Sequence, residues 1–390
     1  MSWLTGDESV AVACWRELVE TYPDHRCGWW AATCLLGKGA LLHGCELEKA
    51  LQSPLLHMLP TTTRQPLRRE ELGGHTYRAV DELLRMQAPE GCWKDTPYEF
   101  MGARHRPNTI MAITALAASA LVAWQEVNLP RVDEALLRAE AYMLDHENLS
   151  PTAVEKCYAY SYCLRYWTEK LGRDGNPGEL EEARQECARL GQKLAGIQHP
   201  EAAWGHEYFN PFATATALVG LAEAQSAGVE IDEGSLALAR MALEAVRHPD
   251  GGFPYSFDRR QTPLVASAGR APACELAILL AGGGSQPRLV AALEGFFRHQ
   301  DLLQAVRVYD YHADRFANGG FFFWHDLLGV SEALPHLASR SRREDVSQGL
   351  LELVQEAGET GGAWMDSPNL GRTYGTAMAL LTLRNIFDSP

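Results

Sequence analysis

Residues 198–224 read QHPEAAWGHEYFNPFATATALVGLAEA. A short turn leads to a single aromatic residue, Trp204, and a polar loop then runs into an Ala-rich segment. Leu218, Leu221 and Ala224 recur in that segment at the spacing of one helix face. An Ala-rich helix without a polar face has to be covered on all sides. The stretch therefore predicts a turn and a polar loop that lead into a buried helix.

The same order of features recurs along the chain. The other units start at Gln87, Arg247, Asn318 and Glu359, and their aromatic anchors are Trp93, Phe253, Phe321 and Trp364. Two weaker units are predicted at 28–36 and 156–163. Such a repeat indicates stacked helical hairpins, each of which buries its apolar face against its neighbours.

Composition predicts which helix of each hairpin lies inside the ring and which lies outside. The Ala-rich helices are predicted to lie inside, and the more charged segments 136–145 and 179–194 to lie outside. Neither end of the repeat has a distinct polar cap, which favours a closed ring over an open superhelix. The sequence thus predicts an all-α fold, an (α/α)6 toroid or barrel with inner and outer helix rings. We assign 75–390 to the toroid and 1–74 to a helical segment packed on it or to a degenerate first hairpin.

Composition and charge narrow the classes of function. The chain has 390 residues, of which 46% are hydrophobic, and a formal net charge of −15. That charge disfavours a nucleic-acid partner. Nine cysteines without a C-x-x-C pair indicate neither a disulfide framework nor a zinc ribbon, and they favour a reducing, cytoplasmic setting. The N-terminus lacks the features of a signal peptide, and the apolar stretch 109–124 is predicted to be a buried helix.

Two short motifs carry a family resemblance. Residues 250–253 read DGGF, and GAW at 362–364 is followed by YGTAMALL at 374–381. These motifs resemble the prenyltransferase and squalene-oxidase repeats of terpenoid cyclases and protein prenyltransferase β subunits. The resemblance implies a toroid that binds or transforms an apolar, isoprenoid-like small molecule in a central cavity. It also implies an isomerase or lyase if the protein is an enzyme, and leaves peripheral membrane contact and a protein partner open.

The chemistry of that family is missing from its expected positions. No D-x-D-D acid occurs in the sequence, and no DD-x-x-D motif for a Mg²⁺-bound diphosphate. Of the three zinc ligands in the prenyltransferase subunits, only the cysteine has a match, at Cys274; Pro272 and Gly375 occupy the other two positions. We therefore predict no metal and no cofactor, and an acid different from that of the family.

The segment 309–326 is the richest in groups that can carry acid–base chemistry. An aspartate beside a histidine can hold the imidazole poised for proton transfer near neutral pH. An ion-paired loop explains the same composition, and the spacing matches no metal template. The predicted catalytic residues are His325, Asp326, Asp310, His312 and Asp314.

Position in the repeat predicts which residues face the opening of the ring. The start of a helix favours anions, and polar loops meet the inner helices there. The predicted substrate-binding residues are Arg104, Asn108, Tyr158, Tyr160, His206, Arg270, Arg372 and Tyr374.

Two further functions stay open. One is a non-catalytic scaffold for protein interaction. The other is a carbohydrate-active toroid, which needs a pair of carboxylates in a cleft. Asp310, Asp314 and Asp326 are candidates for that pair.

Overall fold

The structure is a computed structural model that describes residues 8–21, 69–98, 104, 106–127, 129–173, 175–206, 208–258, 262–306, 322–357, 362–365, 367 and 369–389. The α-helices of these residues are α1 Glu8–Thr21, α2 Arg69–Met86, α3 Arg106–Ala123, α4 Leu129–Leu144, α5 Lys156–Leu171, α6 Pro177–Ile197, α7 Pro211–Ser226, α8 Glu233–Val246, α9 Ala271–Leu280, α10 Gln286–Arg298, α11 Gln300–Val306, α12 Phe323–Glu332, α13 Arg340–Ala357 and α14 Gly371–Asp388.

The helices form two concentric rings. Among the described residues, α3, α5, α7, α9, α12 and α14 each contact the next member of the series, and α14 contacts α3. The inner ring is therefore closed. Helices α2, α4, α6, α8, α10 and α13 lie outside it, each one preceding an inner helix in the chain. The predicted (α/α)6 toroid is confirmed, as are the outer positions of 136–145 and 179–194.

The composition of the inner helices explains the close packing of the ring. Every residue of α3 from Thr109 to Ala123 is buried except Ile110. The small side chains let neighbouring helices approach, and a Cβ added at Gly329 of α12 would lie 2.9 Å from the Cβ of Ala273 in α9. By length and composition α3 is apolar enough to cross a membrane. It is instead the wall of the ring, as the sequence predicted.

A repeated hydrogen bond joins each of the four described aromatic anchors to the inner helix that follows it, or to the turn just before that helix. The backbone N–H of Trp204 donates to the hydroxyl of Thr214 at 3.0 Å. The N–H of Trp364 donates to Thr376 at 3.1 Å. The same contact links Trp93 to Thr114 and Phe253 to Ser267. The indoles of Trp93 and Trp204 each donate to a carbonyl of the preceding outer helix, at 2.8 Å. The anchor thus ties an outer helix to its inner partner.

The turn before each of the four described anchors contains a residue in the left-handed conformation. Gly91, Ala202, Gly251 and Gly362 hold that position, with φ of 93°, 72°, 100° and 87°. A Cβ at Gly91 would lie 2.2 Å from the carbonyl oxygen of Arg138, so this turn excludes a side chain. Ala202 adopts the same conformation with its methyl group buried, at a conformational cost that glycine would not have.

The first and last hairpins are joined by side-chain caps. Asp95 Oδ2 accepts the backbone N–H groups of Arg372 and Thr373 at 2.7 and 3.0 Å, where α14 begins. The hydroxyl of Thr96 donates to the carbonyl of Asn369 at 2.9 Å. These bonds satisfy donors that the first turn of a helix leaves unpaired, and they connect residues far apart in the chain.

The weak unit predicted at 28–36 and the start of the unit at Asn318, with its anchor Phe321, lie outside the described residues. The boundary near residue 74 stays a prediction. The described cysteines other than the exposed Cys14 are buried and free, and no metal-ligating group of three or more His, Cys, Asp or Glu occurs among the described residues.

Candidate active site at the mouth of the toroid

The inner helices all follow outer helices, so their first turns lie at one end of the ring. We call this end the mouth and the opposite end the base. The mouth is lined by an aromatic cluster centred on Phe212, at the start of α7. Tyr255 and Phe322 lie with ring centroids 5.2 Å from that of Phe212. Tyr208, which is 37% exposed, continues the cluster toward solvent at 5.4 Å from Tyr255.

Two imidazoles contact Phe212. The ring of His206 lies 5.7 Å from that of Phe212, and the ring of His325 lies 6.3 Å from it. His206 belongs to the loop before α7, and His325 to the first turn of α12. Helices that are neither adjacent in sequence nor adjacent in the ring therefore bring two titratable groups to one aromatic surface.

His206 is paired with the buried carboxylate of Glu155. Nδ1 of His206 lies 3.1 Å from Oε1 of Glu155, and the backbone N–H of Glu155 donates to the carbonyl of His206 at 3.0 Å. Glu155 has φ 60° and ψ 0°, immediately before α5, and no side-chain cap bond. A left-handed, non-glycine residue costs of order 1–3 kcal/mol and is common at functional sites. Strain, burial and the imidazole partner together single out Glu155.

Asp326 is the corresponding carboxylate beside His325. Its Oδ1 lies 4.0 Å from Nδ1 of His325, and Nε2 of His325 lies 3.4 Å from the hydroxyl of Thr216. The Asp326 side chain occupies space left by Gly269, where an added Cβ would lie 1.9 Å from Oδ2. Burial raises the pKa of Asp326, although His325 and Arg270 both act to lower it. The carboxyl group is thereby held toward its protonated, proton-donating form.

Neutral hydroxyl groups and a guanidinium surround the two pairs. Tyr158 stacks on Tyr162 at 5.8 Å and contacts His206 at 6.0 Å. Burial raises the pKa of Tyr158, with further contributions from Tyr162 and Glu155, so its phenol stays protonated. Arg270 lies 5.8 Å from the ring of Tyr255 and donates to the carbonyl of Phe253 at 3.1 Å.

The structure brings together five of the residues predicted for the site: Tyr158, His206, Arg270, His325 and Asp326. Tyr374 is buried in the first turn of α14. The other predicted catalytic residues, Asp310, His312 and Asp314, lie outside the described residues.

Four predicted residues have other surroundings. Arg104 is exposed. Asn108 is fully buried and holds the loop before Glu155, accepting the N–H of Ser150 at 2.9 Å and donating to carbonyls of that loop. Tyr160 lies on the outer side of α5, where Arg189 of α6 influences its pKa. Arg372 is buried in an ion pair with Glu82 of the outer helix α2, at 2.9 Å. Asn108 and Arg372 therefore support the ring rather than line the opening.

Glu155 is the site residue that the sequence analysis missed. It lies directly before the predicted unit 156–163, in the stretch PTAVEK, where no repeat anchor marks it. Its left-handed backbone cannot be read from the residue type, because glutamate rarely adopts that conformation.

Comparison with known proteins gives structural neighbours only. No protein-family model and no curated protein sequence matches the chain. The GH76A α-1,6-mannanase of Salegentibacter sp. aligns with a TM-score of 0.54 at 10% identity, over 82% of this chain and 99% of that one. A possible member of the GH105 family from Salmonella enterica serovar Paratyphi A aligns with a TM-score of 0.51 at 10% identity, over 86% and 98%. A possible GH105 member from Klebsiella pneumoniae gives a TM-score of 0.51 at 11% identity, over 86% and 96%.

These neighbours correct the family assignment. The resemblance to prenyltransferase and squalene-oxidase repeats is wrong as a guide to family, since the solved toroids that match are named as glycoside hydrolases. The prediction of an apolar, isoprenoid-like partner falls with it, because an inactive variant of the mannanase, at a TM-score of 0.53, is in complex with α-1,6-mannotriose. The physical reason is visible in the fold. The turn, the aromatic anchor and the Ala-rich helix are packing devices of a closed α/α ring, and they do not specify its ligand.

Proposed function

We propose that this protein is a carbohydrate-active toroid that binds an oligosaccharide at the mouth and cleaves a glycosidic bond. The observation that carries the proposal is the pair of carboxylate–imidazole units, Glu155 with His206 and Asp326 with His325, in contact with one aromatic cluster. Glycoside hydrolysis uses two carboxyl groups that flank the scissile bond. The naming of the neighbouring toroids as glycoside hydrolases supports the same class of reaction.

The aromatic cluster supplies the binding surface. A pyranose ring presents an apolar face of C–H groups, and rings such as Tyr255 and the exposed Tyr208 offer flat surfaces against which it packs. Hydroxyl groups at the sugar edge need donors and acceptors, which Tyr158, Arg270 and the two imidazoles provide. A mostly apolar pocket with a few convergent polar groups is the usual form of a small-ligand site.

The two carboxyl groups have different roles in the proposed reaction. Asp326 is the general acid, because burial raises its pKa and favours the protonated form. Its proton goes to the glycosidic oxygen as the bond from that oxygen to the anomeric carbon breaks. Glu155 takes a proton from the water whose oxygen bonds to the anomeric carbon. The products are two shorter sugars; Glu155 then releases its proton to solvent and Asp326 takes one from solvent, so both carboxyl groups return to their starting states.

The imidazoles position the carboxyl groups. The bond from Nδ1 of His206 fixes one oxygen of Glu155, and the strained backbone sets the direction of its side chain. His325 lies between Thr216 and Asp326, which limits the rotation of its ring. Both histidines are therefore positioning residues in this scheme.

The experiment is a hydrolysis screen on the full chain. Purified protein is incubated with α- and β-linked oligosaccharides, α-1,6-mannotriose among them, and products are separated and weighed by mass spectrometry. We expect cleavage of at least one linkage, abolished in Asp326→Asn and unchanged in Asp81→Asn. Asp81 is an exposed aspartate on α2 that pairs with Arg131, so it provides a matched control. The proposal would be refuted if the wild type cleaved no oligosaccharide of the panel and Asp326→Asn bound none of them.

A further inference from the structure

The base of the toroid contains a second cavity, separate from the mouth. Its volume is about 390 Å³. Its walls come from the second halves of α3, α5, α7, α12 and α14, so it lies in the centre of the inner ring at the opposite end from Phe212. A cavity of this volume is within the range of small-ligand sites.

The walls of this cavity carry several charged side chains. Arg165 of α5 donates through Nε to Glu223 of α7 at 3.0 Å, and its Nη1 lies 2.7 Å from Glu332 of α12. A Cβ at Gly220 would lie 3.2 Å from Cγ of Arg165, so the glycine leaves room for the arginine stem. Three inner helices are therefore shaped around one guanidinium that holds two carboxylates. Moving charges out of water is costly, so this group of charged side chains is an expensive feature of the ring.

The balance of charge around the cavity is negative. Arg165 serves both Glu223 and Glu332, which leaves one carboxylate charge in excess at the centre. At the rim, Glu169 pairs with Arg173 at 3.2 Å, and Arg384 pairs with Asp388 at 2.7 Å. Burial raises the pKa of Glu332 and of Glu169, against the opposite effects of Arg165 and Arg173, so a further cation beside them would favour their charged forms.

The other residues that line the cavity indicate which kind of cation would fit there. Leu116, Leu328 and Leu381 supply apolar surface beside the carboxylates, and Tyr162 presents an aromatic ring. A hydrated metal ion does not match such a lining, and the described residues contain no group of three acidic, His or Cys side chains spaced to hold a metal. An alkyl chain fits along the leucines, and an ammonium group at its end meets the carboxylates and the face of the tyrosine.

We propose that the base cavity binds a small organic ammonium ion of the alkylamine class. The ammonium group pairs with Glu332 and Glu223 on the side away from Arg165, and the carbon chain lies against the leucine surface. The site is separate from the proposed sugar cleavage, since neither proposed catalytic carboxyl group lines it and Tyr162, which stacks on Tyr158, is the contact between the two sites.

The first experiment compares two ligands on the full wild-type chain. Putrescine carries an ammonium group at each end of four methylenes, and 1,4-butanediol has the same length without charge. Titration calorimetry is expected to show saturable binding of putrescine and none of the diol. Equal affinity for both, or no saturable binding of putrescine, would overturn the proposal without reference to any variant.

The second experiment assigns the binding to the cavity. Glu332→Gln is expected to weaken putrescine binding at least about tenfold, because it removes one charge-assisted partner. Glu344→Gln is the matched control, since Glu344 pairs with Arg340 on the exposed side of α13, and its affinity is expected to equal that of the wild type. Circular dichroism and thermal melting establish that both variants are folded. Unchanged affinity in folded Glu332→Gln would show that putrescine binds elsewhere and would overturn the assignment.

Discussion

Gly269 is the residue whose substitution most directly probes the position of Asp326. It precedes α9, and an added Cβ would lie 1.9 Å from Oδ2 and 2.6 Å from Cγ of Asp326. Ordinary van der Waals contact begins at 3.4 Å, so Gly269→Ala requires the carboxyl group or the backbone to move by about 1.5 Å. The variant thus changes the position of the proposed acid without changing its chemistry.

The size of the effect follows from this displacement. A misplacement of about 1 Å in a catalytic group can cost about 100-fold in rate. We expect Gly269→Ala to lower kcat/KM for the oligosaccharide identified in the screen by at least about 100-fold. Overpacking of a filled interior typically costs about 1–3 kcal/mol, so the variant should unfold at lower denaturant concentration but remain folded in buffer.

The assay measures initial rates and urea unfolding on the same preparations. Gly196→Ala is the control, because no atom lies within 4 Å of an added Cβ at that helical position of α6. It should keep full activity and gain up to about 1 kcal/mol of stability. Wild-type kcat/KM in folded Gly269→Ala would refute the assignment of Asp326 as the acid.

Three further predictions concern stability. Asp95→Ala removes two hydrogen bonds that cap α14 and should lower the free energy of unfolding by about 2 kcal/mol. The control Asp81→Ala should change it by less than about 1 kcal/mol. Urea titration measures both variants, and equal losses would contradict a role of Asp95 in ring closure. At the left-handed turn position, Ala202→Gly should stabilise the protein by about 0.5 kcal/mol, and Gly91→Ala should destabilise it by about 3 kcal/mol or more. If the melting temperatures of both variants shifted in the same direction, the argument that Ala202 is strained and Gly91 is not would be contradicted. Folding raises the pKa of Asp326 above its ordinary value of 3.8, so above that pH the folded chain binds more protons than the unfolded chain. The free energy of unfolding of the wild type should therefore fall relative to that of Asp326→Asn as pH rises above 3.8. Parallel curves of unfolding free energy against pH for the two proteins would show that the group is not buried as described.

The fold could be predicted from the sequence because its determinants are local and repeated. The turn, the aromatic anchor and the Thr or Ser of the next helix lie within about 20 residues of one another in several units, as with Trp204 and Thr214. Ring closure is less local. The bond from Asp95 to the start of α14 spans nearly the whole toroid, and nothing in the sequence around Asp95 indicates that partner.

The site was predicted only in part, because residue type and repeat position do not fix the direction of a side chain. His206 was predicted from its position in the repeat, and His325 and Asp326 from the composition of the segment 309–326; the rings of both histidines contact Phe212. Asn108 and Arg372 occupy equivalent places, but they bind backbone carbonyls and an outer helix. The family was misassigned for a related reason. The repeat determines how the helices pack, whereas a few side chains at the mouth determine the ligand.

Steady-state kinetics of Glu155→Gln and Asp326→Asn test the central claim most directly, because each change keeps the shape of the side chain and removes its acid–base function. With the oligosaccharide that the wild type cleaves, each variant should lower kcat by at least about 100-fold while KM changes by no more than a few fold. A wild-type kcat in either folded variant would contradict the assignment of these two carboxyl groups to the cleavage of the glycosidic bond.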